Sequence, residues 1–334
     1  MDIEKEEEYV SCATSVAGYA LLLYQGCVST VQAFAVVLSE LDDNNYDGDF
    51  SVNPPIPKIS RLNNLIQGHL SLFKTNAGLY PAEFEALYAV VCPIIIQWAR
   101  HTNNVRGLAG IPSKLMPSER LLSCIMYLRG RNGVREEASY WNYSRTSLRD
   151  DAMFVCGIIN ESMASEISWP TTAERQQQRS RISLFPGCVG YVDGILCRIR
   201  RPHDRHHRAY FNGRKKMYCF NSAVVIDHDG MFIYIAPGNA GSYHDVTVLR
   251  DTGLSRNWQE HFAVDHDSPH PVEYLLGDPG YLGLDHFILR CIDARELANV
   301  DQDPVLRAFN KLHAGYRVTV EWGIGGLKQL FRRF

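Results

Sequence analysis

Two apolar runs decide the reading of this chain: Cys188-Val189-Gly190-Tyr191-Val192-Asp193-Gly194-Ile195-Leu196-Cys197 and Tyr274-Leu275-Leu276-Gly277-Asp278-Pro279-Gly280-Tyr281. Short aliphatic stretches bounded by glycine and proline read as buried strands. Each holds one aspartate, Asp193 interrupting the first and Asp278 ending the second. A third acid, Glu321, lies in a late helical stretch flanked by Val318, Val320, Trp322 and Ile324. A buried carboxylate is costly unless it is paired, hydrogen-bonded or bound to a cation.

Around these runs the hydrophobic period is that of strands. Val189–Ile199, Met217–Asp227 and Met231–Ala236 are read as strands, the last two joined as a hairpin through His228-Asp229-Gly230. A helix is expected over His244–Asp251, a fourth strand over Val272–Leu276, and a final helix from Val305 or Asn310 through Lys328. Strands followed by a helix, another strand and a last helix imply an α/β layer.

Before residue 181 the period is helical, as in Leu62, Leu65, Ile66, Leu70 and Phe73, then Phe84, Leu87, Val90, Val91 and Ile94. Pro81 suits a first helical turn, Ser118 a cap before Leu121–Leu128, and a shorter helix is expected near Glu136–Tyr140. Ser144 suits the cap of a further helix to about Asn160. Three short helices, the last opening on Ser144-Arg145-Thr146-Ser147, fit a helix-turn-helix and equally a plain helical bundle. The segment from Asp42 to Pro57, crowded with acids, asparagines and prolines, reads as a linker or long loop.

With 334 residues and 46% hydrophobic composition, the chain can bury a full core. Its 34 Lys+Arg nearly balance 37 Asp+Glu, so any nucleic-acid contact must come from a local patch. Nine cysteines without a Cys-x-x-Cys pair argue against a disulfide framework or zinc ribbon and for a reduced compartment. The start, Met1-Asp2-Ile3-Glu4-Lys5-Glu6-Glu7-Glu8, is acidic where a signal peptide would be basic. Cys12–Ser39 carries no charge, but Ser15, Gln25, Gly26, Ser29, Thr30 and Gln32 favour buried helices over a membrane span. The chain stops at Phe334 right after Lys328-Gln329-Leu330-Phe331-Arg332-Arg333, without a polar tail, which reads as a shortened product.

Each acid has a structural reading. Asp193-Gly194 can be a turn, Asp278-Pro279-Gly280 is a good turn sequence, Glu321 can face solvent, and Asp245, in Gly241-Ser242-Tyr243-His244-Asp245, can cap a helix. Taken together, they suit a shared metal site. Two divalent ions held by carboxylates about 3.5 to 4 Å apart can activate water and stabilise the leaving oxygen of a phosphodiester. Carboxylate and water ligands select Mg²⁺ or Mn²⁺.

At these residues the sequence resembles the PIF/Harbinger transposases and the Harbinger transposase-derived nucleases. The likeness is clearest over Gly187–Phe334 and runs through five ordered blocks: Val192-Asp193-Gly194; Tyr210-Phe211-Asn212-Gly213-Arg214-Lys215; Gly241-Ser242-Tyr243-His244-Asp245 with Val248-Leu249-Arg250; Leu276-Gly277-Asp278-Pro279-Gly280-Tyr281; and Phe309-Asn310-Lys311-Leu312-His313 leading to Val320-Glu321-Trp322-Gly323 and Leu327-Lys328. The resemblance implies an RNase H-like fold with a catalytic triad of Asp193, Asp278 and Glu321. Asp245 would be a further acid at the metal. It implies a metal-dependent DNA endonuclease of the transposase type, acting in the nucleus and also conceivable in the cytoplasm. A separate Myb/SANT-like DNA-binding partner is implied, and a homodimer is a candidate assembly. Where that family has Asp-Gly-Thr-His this chain reads Asp193-Gly194-Ile195-Leu196, and where Glu-Arg is usual it has Glu321-Trp322. Those changes spare the ligands and touch supporting polar groups.

The expected division is a helical region over residues 1–110, a helical segment with a candidate helix-turn-helix over 111–184, and the RNase H-like domain over 185–334. Arg198, Arg200, Arg201, Arg205, Arg208, Arg214, Lys215 and Lys216 form the densest positive run, suited either to phosphate neutralisation or to a solvated hairpin rim. Arg198, Arg200, Arg214, Lys215, Lys216 and Lys328 are taken as DNA contacts, and His244 and His313 as supporting groups near the carboxylates. His203, His206 and His207 lack ligand partners at zinc spacing. The rival function is a domesticated, catalytically silent DNA- or chromatin-binding protein that keeps the fold; a phosphohydrolase acting on small molecules is more distant.

Overall fold

The structure, a computed structural model, describes residues 70–105, 115–163, 166–199, 201–202, 207–264, 272–293 and 303–330. The expectations for residues 1–69, including the uncharged stretch and the linker, lie outside the described residues, as do those for Arg200, Arg205, His203, His206, Arg332 and Arg333. No helix among the described residues is long and apolar enough to cross a membrane. The chain divides into two compact units, residues 1–164 with 329–334, and residues 165–328.

The described part of the first unit is helical: α1 (Leu70–Ala77), α2 (Pro81–Val105), α3 (Pro117–Arg129), α4 (Val134–Trp141) and α5 (Arg145–Ser162). Helix α3 opens on Met116 rather than Ser118, because Pro117 takes the first-turn position and Glu119 reaches back to the Met116 amide at 3.0 Å. Gly130 closes it in the left-handed region at φ 58. Ser144 does cap α5, accepting from the Ser147 amide at 3.0 Å. Leu121, Leu122 and Ile125 of α3 and Leu148, Val155 and Ile159 of α5 are buried, and the two helices pack together. Thr146 and Ser147 at the start of α5 are exposed, as both the bundle and the helix-turn-helix readings allow.

The second unit is mixed α/β. After α6 (Thr172–Arg179) come β1 (Cys188–Arg198), β2 (Phe211–Asn212), β3 (Met217–Ile226) and β4 (Phe232–Ala240). Three short helices follow, α7 (Asp245–Arg250), α8 (Gly253–Arg256) and α9 (Trp258–His261), then β5 (Tyr274–Gly277), β6 (Ile288–Arg290) and the long α10 (Pro304–Leu330). The sheet runs β2-β3-β1-β5-β6 with β4 also on β3; β3 is antiparallel to β1 and β4, while β1, β5 and β6 are parallel. Strand β4 continues past Ala236, where Pro237-Gly238 suggests a stop. Its register on β3 shifts there, with Gly238 at φ 83, and an edge strand tolerates a proline at such a bulge.

One face of the sheet contributes Val192, Val225, Leu275 and Ile288 to a core shared with Val248, Leu249, Leu254, Phe262, Tyr281 and Phe287. Helix α10 lies on the other face, so close that a side chain at Gly323 would collide with Ile226. Under the sheet's lower edge Glu273, fully buried, accepts Arg175 of α6 at 2.7 Å and the Ala263 amide at 2.8 Å, which ties the start of β5 to α6.

Candidate active site

Strands β1 and β5 are parallel neighbours with Tyr191 opposite Leu276. Side chains alternate faces along a strand, so the residues two further on, Asp193 and Asp278, project from the same face at the same level. That face carries α10. Asp193 also accepts its neighbour's amide, Gly194, at 2.8 Å. Asp278 accepts the Gly280 amide at 2.9 Å and caps the turn Pro279–Tyr281, so the turn chemistry read in Asp-Pro-Gly is present as well.

Asp245 arrives from the opposite direction. It is the first residue of α7, after the exposed cap His244. Asn221 of β3, buried opposite Leu196, donates to Asp245 Oδ1 at 2.8 Å and to the Tyr243 carbonyl at 3.0 Å. A Cβ on Gly194 would stand 2.2 Å from Asp245 Oδ1. Only glycine at 194 leaves room for that carboxylate, which lies against β1 on the side away from the Asp193 side chain.

Glu321 meets Asp193 through a guanidinium. Arg317, one turn earlier on α10, donates to Glu321 Oε1 at 2.7 Å while its other arm stands 3.6 Å from Asp193 Oδ2. Among the described residues no three Asp, Glu, His or Cys side chains are grouped so as to hold one ion. His313, a further turn back, is fully buried: Nε2 faces the Leu289 carbonyl and Nδ1 the Cys291 thiol, each at 2.9 Å. With both ring nitrogens engaged, its place is in the packing of α10 on β6.

Burial is the first cause of the perturbed charges here. It pushes Asp193 up to about 6, helped by Asp278 and Asp245 and opposed by the Gly194 amide and Arg317. It also raises Asp278, against the pull of the Gly280 amide, Arg317 and Arg214, with Asp245 adding to the rise. Tyr281 is buried with its hydroxyl unpaired among the described residues, and after burial the carboxylates of Asp245, Asp193 and Asp278 hold its phenol well above the ordinary range. Desolvated oxygen donors that repel one another suit a hard divalent cation, so the chemistry of the donor set fits one. Glu321 would have to exchange Arg317 for it.

Of the predicted DNA contacts, Arg198 ends β1 and is exposed, and Arg214, Lys215 and Lys216 are exposed on the turn joining β2 to β3. Lys328 is exposed near the end of α10 and its charge is felt at Cys197. An apolar groove lined by Phe185, Tyr274, Leu289, Val305 and Phe309 carries none of the acids. Sequence reasoning missed Arg317 and Asn221. The four-residue spacing of Arg317 and Glu321 on a helix was the available signal for the first; nothing local marks the second.

Residues 192–334 match the family model described as DDE superfamily endonuclease. This stretch is what carries the likeness to the DDE superfamily endonucleases. The chain is similar to "Putative nuclease HARBI1" of Rattus norvegicus, with 26% identity over 137 residues, covering 41% of this chain and 35% of that protein. It is also similar to "Protein ALP1-like" of Arabidopsis thaliana, 23% identical over 132 residues, covering 37% of this chain and 32% of that one. The matched part thus spans about a third of the length of these curated relatives. No solved structure matches the chain. Within the matched residues fall Asp193, Asp245, Asp278, Arg317 and Glu321.

Proposed function

We propose that the DDE domain is a metal-dependent DNA endonuclease of the PIF/Harbinger transposase type. Asp193, Asp278 and Glu321 are its catalytic acids, and Asp245 is a further acid whose charge reaches Asp193 and Asp278 from the other side of β1. The observation that carries this reading is the level placement of two desolvated aspartates, Asp193 within β1 and Asp278 just past the end of the adjacent parallel β5. An RNase H-like fold accounts for that placement, with the first acid on β1, the second after β5 and the glutamate on α10.

Mg²⁺ or Mn²⁺ is the cation proposed, held by these carboxylates; DDE superfamily endonucleases generally use divalent metals. When bound, such an ion polarises phosphoryl oxygens and lowers the pKa of water. The chain's own part is to hold the ionised carboxylates in register and to receive the DNA backbone. Arg198, Arg214, Lys215, Lys216 and Lys328 neutralise phosphates along the duplex. Water attacks phosphorus in line, the bond to the 3′ oxygen breaks, and the released 3′-hydroxyl is available as the nucleophile of a strand transfer. Action in the nucleus, a Myb/SANT-like partner and a homodimer belong to this reading, as does a DNA-contacting helix-turn-helix in the first unit.

A second reading has one observation in its favour. Arg317 already neutralises part of the acid cluster, as in a silent DNA- or chromatin-binding protein that has kept the fold. Nicking of supercoiled DNA in Mg²⁺ or Mn²⁺ separates the two. Cleavage by the wild type that disappears in both Asp193→Ala and Glu321→Ala supports the nuclease; DNA binding with no metal-dependent cleavage supports the scaffold.

A further inference from the structure

We propose that Arg317 changes partner during the reaction. In the metal-free protein it holds Asp193 and Glu321, and once a divalent cation takes those carboxylates its guanidinium passes to a DNA phosphate. The inference rests on the metal-site reading above and adds to it a residue that couples cation binding to DNA binding.

An exposed Arg–Glu pair four residues apart on a helix is ordinarily worth little. Arg317 differs in three ways. Its side chain is only 19% exposed, it reaches across to a strand as well as along its own helix, and it lowers the pKa of both Asp193 and Asp278. The helix is set in rotation by His313, buried one turn earlier against the Leu289 carbonyl of β6, so that His313, Arg317 and Glu321 follow at four-residue steps along one line.

The two uses of these carboxylates exclude each other. An oxygen that accepts a guanidinium N–H at 2.7 Å has that lone pair engaged, and a divalent ion beside a guanidinium meets repulsion that burial strengthens. Arginine has no neutral form to retreat to. A displaced guanidinium this far from water needs another anion, and a phosphodiester brought against the same carboxylates is one whose paired oxygens match the donor fork of arginine. Arg317 therefore opposes the cation when DNA is absent and holds the backbone when both are present. By linkage, cation and DNA then favour each other's binding.

The test measures Mn²⁺ affinity of the full chain by calorimetry without DNA. It also measures affinity for a fluorescent phosphorothioate duplex, with and without Mn²⁺, by anisotropy. In Arg317→Gln, Mn²⁺ is expected to bind about tenfold more tightly than in the wild type, and the gain in duplex affinity brought by Mn²⁺ to shrink by about tenfold. Arg317→Lys keeps the charge without the fork. It is expected to fall between wild type and glutamine on both readouts, and it carries the test if the glutamine variant does not fold. Unchanged or weaker Mn²⁺ affinity in the variants, or an unchanged Mn²⁺-dependent gain in duplex affinity, overturns the proposal. If the wild type binds no Mn²⁺, or binds it equally after Asp193→Ala, the metal-site reading itself fails and this inference with it.

Discussion

Asp193 in β1 and Asp278 just past the end of the neighbouring parallel β5 stand level, each two residues beyond the paired Tyr191 and Leu276. Both are desolvated, and each is close enough to the shared Arg317 and Asp245 charges to feel them. The pair is strained electrostatically by its own burial, and that has measurable consequences.

The first is for stability. The folded protein binds a proton at Asp193 more tightly than the unfolded chain does, with a pKa of about 6, against about 4 for an ordinary aspartate. Ionised Asp193 therefore costs stability, and the cost grows as pH rises through that window. In EDTA, Asp193→Asn is expected to be more stable than wild type by about 1 to 3 kcal/mol at pH 7 to 8, the upper end being the full shift and the lower allowing for the lost Arg317 contact. The advantage disappears near pH 4. Urea melts across pH measure it, and a variant that is less stable than wild type at neutral pH contradicts the placement of Asp193.

Cleavage shows the same group from the other side. A protonated Asp193 offers no charge to a cation, so at limiting Mn²⁺ nicking is expected to rise with pH through about 6 and level off above it, the rise moving to lower pH as Mn²⁺ is increased. An apparent Mn²⁺ affinity that stays constant from about pH 5 to pH 7.5 would remove Asp193 from the proposed metal site.

Gly194→Ala tests how Asp245 is held. The added methyl would stand 2.2 Å from Asp245 Oδ1, so the carboxylate must move and its bond from Asn221 must lengthen or break. A loss of about 1 to 3 kcal/mol is expected by urea melts, with Asn221→Ala showing a similar loss and the double variant less than the sum. Strict additivity would mean that the two residues act on different things.

Glu273→Ala should be among the more damaging single changes in the second unit. It leaves Arg175, itself buried, without its carboxylate and strips the Ala263 amide of its acceptor. Thermal or urea unfolding should register a loss of about 3 to 5 kcal/mol; a loss under about 1 kcal/mol would show that the pair is open to water.

Much of the second unit was legible locally. Tyr274–Gly277 and Met217–Ile226 announce themselves by apolar runs ending in turn residues, and the hairpin through Gly230 by its Asp-Gly signal. The ends were less so: α3 starts at Pro117 because of a backbone cap from Glu119 that a serine at 118 obscures, and β4 passes through Pro237 by means of a bulge. Strand β6 and helix α6 carry too little period of their own. Buried Arg175 fixes α6 in place through a partner 98 residues away.

By itself the sequence determined the strand that carries Asp193, the turn that Asp278 caps and the late helix that carries Glu321, because strand alternation, turn chemistry and helical spacing act over a few residues. Tertiary structure alone decided which groups meet. It set the register that levels Asp193 with Asp278, the gap at Gly194 that admits Asp245, and the arm of Arg317 lying between Glu321 and a strand that ends more than a hundred residues earlier. Such contacts follow from how elements pack, and packing depends on the combined shape and burial of side chains from the whole unit, which no local pattern encodes.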